Sequence, residues 1–229
     1  MDVSYLQNWF KNDALGRYLL EQEEHFFQAA LSQCQPYRTL LLGHLSGCLN
    51  GNYARTLQVK QARFLPADIL ADATHLPWRE GSFDAVIAAH LPDTETEILR
   101  ILMELYQVLD EQGCVLLTGF NPHSIWRIHL SNDLPNVGEG VALSVVRKWA
   151  ESLGWYIEQV HFIHHLPPIR QPENWPLVEF AGRYLWTQGA AVYALVLCKQ
   201  VARINALKET ERTLDFDNMA AVGLARVKE

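Results

Sequence analysis

The sequence has no Cys-x-x-Cys pair, and its four cysteines, Cys34, Cys48, Cys114 and Cys198, stand far apart. Clustered spacing is what a zinc ribbon or a disulfide-framed secreted domain requires. Neither is expected, and no metal site is assigned. Cys114 and Cys198 border apolar runs, where reduced cysteine behaves as a small hydrophobe, and the thiols are read as buried in a cytoplasmic protein. Positive charge is also in short supply: 19 Lys and Arg against 26 Asp and Glu give a net charge of −7. A duplex-binding protein or an anionic-membrane binder carries the opposite balance, so neither partner is expected. No stretch reaches the roughly 18 apolar residues of a membrane span. The opening Met1–Gln7 lacks the basic and apolar segments of a signal peptide, and no repeat or low-complexity tract is seen. A dinucleotide fingerprint is missing too. In Gly43-His44-Leu45-Ser46-Gly47, Leu45 stands where Gly-x-Gly-x-x-Gly has its second glycine, and no Gly-Lys-Ser/Thr follows. A nicotinamide dehydrogenase is thereby disfavoured.

What is present is an ordinary globular balance, 49% hydrophobic and 20% charged over 229 residues, enough for one sizeable domain. Three- and four-residue spacing of Leu15, Tyr18, Leu19, Phe26, Phe27, Ala30 and Leu31 predicts helices over 4–34, with Glu21, Glu23 and Glu24 as the polar residues between. Pro36 breaks that pattern. Arg38–Gly43 is a short apolar run ending in glycine, as in a buried parallel strand. Thr56–Val59 and Ala67–Leu70 are weaker strands, and Phe83–Ala89 is a strong one. The stripe Ile98, Ile101, Leu102, Leu105, Val108, Leu109 predicts a helix over 93–109, with Asp93, Glu95 and Glu97 in its first turn. Asp110–Gly113 is read as the turn that ends it. Strands are expected over 114–120, 155–164 and 190–201, with a helix over 143–153. Three units follow: a helical lead-in (1–35), an α/β domain (36–201) and a C-terminal helix or loose tail (202–229). Within the α/β domain, 166–188 forms a Pro- and Trp-rich insertion that is a candidate acceptor lid.

Strands alternating with helices imply a doubly wound, mostly parallel sheet, whose ligands bind beyond the carboxyl ends of the strands. Two loops there draw notice. Gly43–Gly47 lets backbone approach a ligand closely. Asp72, beside Ala73 and Thr74, offers a carboxylate to an exocyclic amine, or simply caps a turn.

The run Asp72-Ala-Thr-His-Leu-Pro-Trp78, then Gly81-Ser-Phe-Asp-Ala-Val-Ile87, resembles the type 11 domain family of class I S-adenosylmethionine-dependent methyltransferases. So do Leu105–Leu117, Gly119-Phe-Asn-Pro-His-Ser-Ile-Trp126 and the helix ending at Gly154-Trp155. The resemblance implies a Rossmann-like, seven-stranded sheet of order 3-2-1-4-5-7-6 with its last strand antiparallel. It also implies S-adenosylmethionine as cofactor and S-adenosylhomocysteine as product. Gly43, His44, Leu45, Ser46 and Gly47 would cradle the amino-acid part. Asp72 would face the adenine amine, with Ala73 and Thr74 beside the ring, and Ala89, His90 and Leu91 would lie near the sulfonium.

Two positions depart from the family. Its first loop usually opens with an acid and carries a central glycine, where this chain has Leu41 and Leu45. A leucine fits there only with negative φ and its side chain turned from the ligand. The family's second strand ends in an acid that holds the ribose, whereas here the region reads Val59, Lys60, Gln61. A neutral contact from Gln61 in place of that acid costs on the order of 1–2 kcal/mol, about tenfold in affinity. The connection from Gly51 to Ala67 also leaves no room for the usual helix.

Methyl transfer is an in-line displacement that needs alignment, and a base where the nucleophile is a hydroxyl. His90 is the best-placed candidate base, then His123; each has the alternative role of tying down a loop. His161, His164 and His165 lack the spacing of a metal set. The expected function is therefore methyl transfer to a small or medium acceptor that the sequence leaves unidentified, as it does the oligomeric state. The alternative is a catalytically inactive binding or scaffold protein of the same fold, with weak or no cofactor binding.

Overall fold

The computed structural model describes residues 3–43, 45–64, 66–91, 94–128, 140–168 and 189–199. His44, most of the 166–188 insertion and the 202–229 tail lie outside them. Two helices open the chain, α1 (Val3–Asn12) and α2 (Ala14–Cys34), followed by strands β1 (Arg38–Leu42), β2 (Leu57–Ala62), β3 (Ile69–Leu70) and β4 (Phe83–Ala89). Then come α3 (Glu95–Val108), β5 (Leu109–Phe120), a 3-10 turn (Ile125–Ile128), α4 (Leu143–Ser152), β6 (Trp155–Ile163) and β7 (Val192–Lys199).

The seven strands form one sheet of order β3-β2-β1-β4-β5-β7-β6. β1 pairs parallel with β2 and β4, and β4 with β5, while β7 lies antiparallel between β5 and β6. This is the order the resemblance implies. Among the described residues, neither the β1–β2 nor the β2–β3 connection carries an α-helix.

The two faces are covered differently. On one, Leu6, Trp9 and Phe10 of α1 and Leu15, Leu19, Phe27 and Leu31 of α2 share a core with Leu41, Ala85, Ile87 and Leu116 of the sheet. On the other, Ile98, Ile101, Leu102 and Leu105 of α3 and Val146 and Ala150 of α4 pack on Leu40, Val86, Val115 and Leu195. The N-terminal helices thus pack on one sheet face, together with Leu45, Leu49, Tyr53 and Trp126.

Three expectations need correction. Asp110–Gly113 belongs to β5: Phe83 pairs with Leu109 and Ala85 with Cys114, so the extra residues form a bulge rather than a turn. Glu23 is not on the polar side of α2. It occupies the fourth-residue ladder Leu15, Leu19, Glu23, Phe27, Leu31, all of it buried, because positions four apart share a helix face. All four cysteines are free thiols, and Cys48 and Cys114 are buried, but Cys34 is exposed at the end of α2.

Candidate functional site

The C-terminal edges of β1, β2, β3 and β4 meet at one cleft, lined by Gly43, Gln61, Arg63, Asp72, Ala73, Thr74, Leu91 and Glu97 among others. β1 and β2 stay in register to their ends, Leu42 opposite Gln61, and the Gly43 N–H donates to the Gln61 carbonyl at 2.9 Å. Gly43 has φ +101°, where a side chain is strained, and a methyl there would overlap Leu91. The positive φ is what calls for glycine, since the Leu91 side chain can turn aside.

Leu45 meets the side-chain condition set for it. Its side chain is turned from the cleft and wholly buried in the core against which α1 and α2 pack. The loop closes as a turn, with Ser46 N–H donating to the Gly43 carbonyl and Cys48 N–H to that of Leu45. Gly47 lies close against Pro66. Of the expected cofactor residues, the cleft therefore gathers Gly43, Gln61, Asp72, Ala73, Thr74 and Leu91. Leu45, Ser46, Gly47, Ala89 and His90 do not line it.

Gln61 is fully buried; its Oε1 accepts from Trp78 Nε1 at 2.6 Å, and its Nε2 has no partner among the described residues. Asp72 uses both carboxylate oxygens. Oδ1 accepts from the Thr74 N–H and hydroxyl, each at 2.9 Å, and Oδ2 from Arg63 Nε at 3.0 Å, with Arg63 Nη2 at 2.7 Å. Partial burial raises the Asp72 pKa, but the bonds from Thr74 and Arg63 outweigh it and hold the carboxyl below its usual range.

A second polar group lies beneath α1 and α2, at the ends of β4 and β5. His90 Nε2 stands 2.7 Å from Glu23 Oε1, and the Thr118 hydroxyl donates to Glu23 Oε2 at 2.8 Å. The Glu23 and His90 side chains are 0% and 2% exposed. In the neutral imidazole, donation from Nε2 to the carboxylate makes Nδ1 the acceptor nitrogen, and Nδ1 has no partner among the described residues. Phe10 and Phe120 rings flank the imidazole, at 5.3 and 4.3 Å between centroids. His90 adopts φ +50°, a sparsely used conformation for a residue with a side chain. A carboxylate, an imidazole and a hydroxyl from three elements are thus buried together, so that each satisfies another.

His123 is exposed elsewhere, beside a separate cleft lined by Asn121, Ser144, Arg147 and Phe162. Its backbone N–H donates to Asn121 Oδ1. His161 contacts Gln159 and Phe26, whereas His164 packs against Tyr18 and Trp126. Among the described residues no three His, Cys, Asp or Glu side chains are grouped to hold a metal, and no helix is long and apolar enough to cross a membrane.

Sequence reasoning missed Glu23, Thr118 and Arg63. Glu23 left a signal, an acid inside an apolar ladder. Thr118 is a hydroxyl in the apolar run Cys114–Phe120, and Arg63 gave no sign of its partner nine residues on.

Residues 46–117 match the methyltransferase domain family. The chain is 34% identical over 90 residues to the Escherichia coli (strain K12) protein YafS, a match spanning 38% of each. A SAM-dependent methyltransferase from Archaeoglobus fulgidus superposes with TM-score 0.57 at 13% identity, covering 87% of this chain and all of that one. The N-methyltransferase NodS from Bradyrhizobium japonicum WM9, in complex with S-adenosyl-L-homocysteine, superposes with TM-score 0.57 at 9% identity, covering 83% and 90%. The chain thus matches the methyltransferase domain family over residues 46–117, and its sheet has the strand order and fold of the solved methyltransferases it superposes on.

Proposed function

We propose that the chain binds S-adenosylmethionine in the Asp72 cleft and transfers its methyl group to a small or medium acceptor. One observation carries this reading: a carboxylate, a buried unpartnered amide donor and a backbone-only approach at Gly43 converge at the C-terminal edges of β1 to β4. The donors and acceptors suit the cofactor. Asp72 accepts from the adenine amine, Ala73 and Thr74 lie beside the ring, and Gln61 Nε2 donates to a ribose hydroxyl in place of the family's acid. Gly43 approaches the amino-acid part through its backbone, and Leu91 approaches the sulfonium from beyond the end of β4. When bound, the cofactor supplies an electrophilic methyl on a cationic sulfur. His90 takes the proton of a protic acceptor at Nδ1, and Glu23 and Thr118 hold the imidazole in that tautomer. Such contact requires the Phe10 end of α1 to give way. His123, exposed and apart from this cluster, has the weaker claim.

A second reading, a non-catalytic binding protein of the same fold, is favoured by one feature: the cleft encloses only about 30 Å³, against roughly 300 Å³ or more for a small-molecule site. Ultraviolet cross-linking with methyl-labelled S-adenosylmethionine, followed by peptide mapping, tests the cofactor binding that the first reading requires and that the second, with weak or no cofactor binding, lacks. Label on peptides spanning residues 60–91, displaced by S-adenosylhomocysteine, is the expected result. Label that the product does not displace, or none, contradicts the proposal.

A further inference from the structure

The element that closes the cleft is an arginine at the exit of β2. Arg63 leaves the strand one residue after Ala62 and sets Nε and Nη2 on Asp72 Oδ2, with Nη2 3.7 Å from Glu97 Oε1 on α3. The other Asp72 oxygen is taken by Thr74. No acceptor position on that carboxylate is therefore left to a ligand without displacing something. Thr74 is two residues away and bonds through backbone and hydroxyl at once, so it is fixed by the local turn. Arg63 is held differently. Its side chain is 44% exposed, and a second carboxylate, Glu97, is already within reach.

Resting on the cofactor reading above, we infer that Arg63 is a displaceable internal competitor: its guanidinium holds the place on Asp72 that a ligand's amine must take, and it passes to Glu97 when the ligand enters. The exchange is one of hydrogen-bond donors on a single oxygen, with no bond made or broken. Arg63 and Leu91 together close the cleft, Leu91 over Gly43 and Arg63 over Asp72. An ion pair this exposed is weak, so the competitor lowers affinity by roughly two- to fivefold. It also introduces an inverse salt effect, because screening weakens the pair that blocks the site.

Calorimetric titration of sinefungin into the full chain, at about 0.05 and 0.5 M salt, tests this with Arg63→Ala, Arg63→Gln and Asp72→Ala. The expected result is binding about two- to fivefold tighter in both Arg63 variants at low salt. Wild-type affinity rises with salt, whereas that of the Arg63 variants does not, and Asp72→Ala binds weakly throughout. Equal or weaker binding by both Arg63 variants, with Asp72→Ala still impaired, overturns the inference while leaving the cofactor site in place. Binding by none of the folded proteins overturns both.

Discussion

Glu23 is the residue on which the buried cluster depends. It has no route to water, and its two oxygens are occupied by His90 and Thr118. Removing one partner from a buried, hydrogen-bonded charge is far costlier than losing a surface pair. His90→Ala is expected to lower unfolding stability by about 3 kcal/mol or more, read from urea denaturation. A loss below about 1 kcal/mol would mean the cluster is not held as described. Cys34 gives a prediction of another kind. Its thiol is exposed, and hydrogen bonding with Cys114, 4.0 Å away, lowers its pKa to about 7 against the opposing effects of partial burial and Glu158. Burial is the main cause that pushes Cys198 up to about 12, and it also raises Cys48. Iodoacetamide at neutral pH should modify Cys34 first, with a rate that climbs through pH about 7, as intact-mass and peptide analysis would show. Preferential loss of another thiol would be inconsistent with this.

At the scale of elements, α1 and α2 meet more closely than a side chain permits. A methyl group on Gly16 would overlap the Trp9 carbonyl, which is backbone and cannot rotate aside. Gly16→Ala should thus destabilise by about 1–3 kcal/mol, despite the helix propensity gained, and a stabilised variant would show α1 free to shift. α3 begins with Thr94, which accepts from the Glu97 N–H while its hydroxyl donates to the Glu97 carboxylate. Thr94→Ala is expected to cost about 1 kcal/mol. Most elements were legible in advance because their signal is local: β1 and β4 are continuous apolar runs, and α3 and α4 carry a stripe. The β5 bulge was not, since Asp110–Gly113 has the composition of a turn and only pairing with β4 makes it strand. The site divides along the same line. Asp72, Thr74 and Gln61 sit in or beside strand ends, were legible as candidates and line one cleft. Glu23 reaches His90 across 67 residues, and sequence spacing cannot express that distance.

For the molecule as a whole, acid stability follows from two carboxylates that tie distant segments together. Asp84 on β4 accepts from the Tyr37 and Arg38 N–H groups and from the Arg38 guanidinium at 2.7 Å, while Asp72 joins the β3 exit to the β2 exit. Partial burial opposes their ionisation, but these bonds prevail and both pKa values lie below the usual carboxylate range. A depressed folded pKa contributes stability that is complete above the unfolded value, about 4, and is lost as pH falls through the folded one. The urea midpoint should therefore drop between pH about 5 and 2, and Asp84→Asn should flatten part of that drop. The central claim, a cofactor site organised on Asp72, is tested most directly by titrating S-adenosylhomocysteine into wild-type protein and into Asp72→Ala. Saturable binding by the wild type, weakened at least about tenfold by the substitution, is the predicted result. No heat from folded wild-type protein at millimolar ligand, or equal binding by the variant, would contradict it.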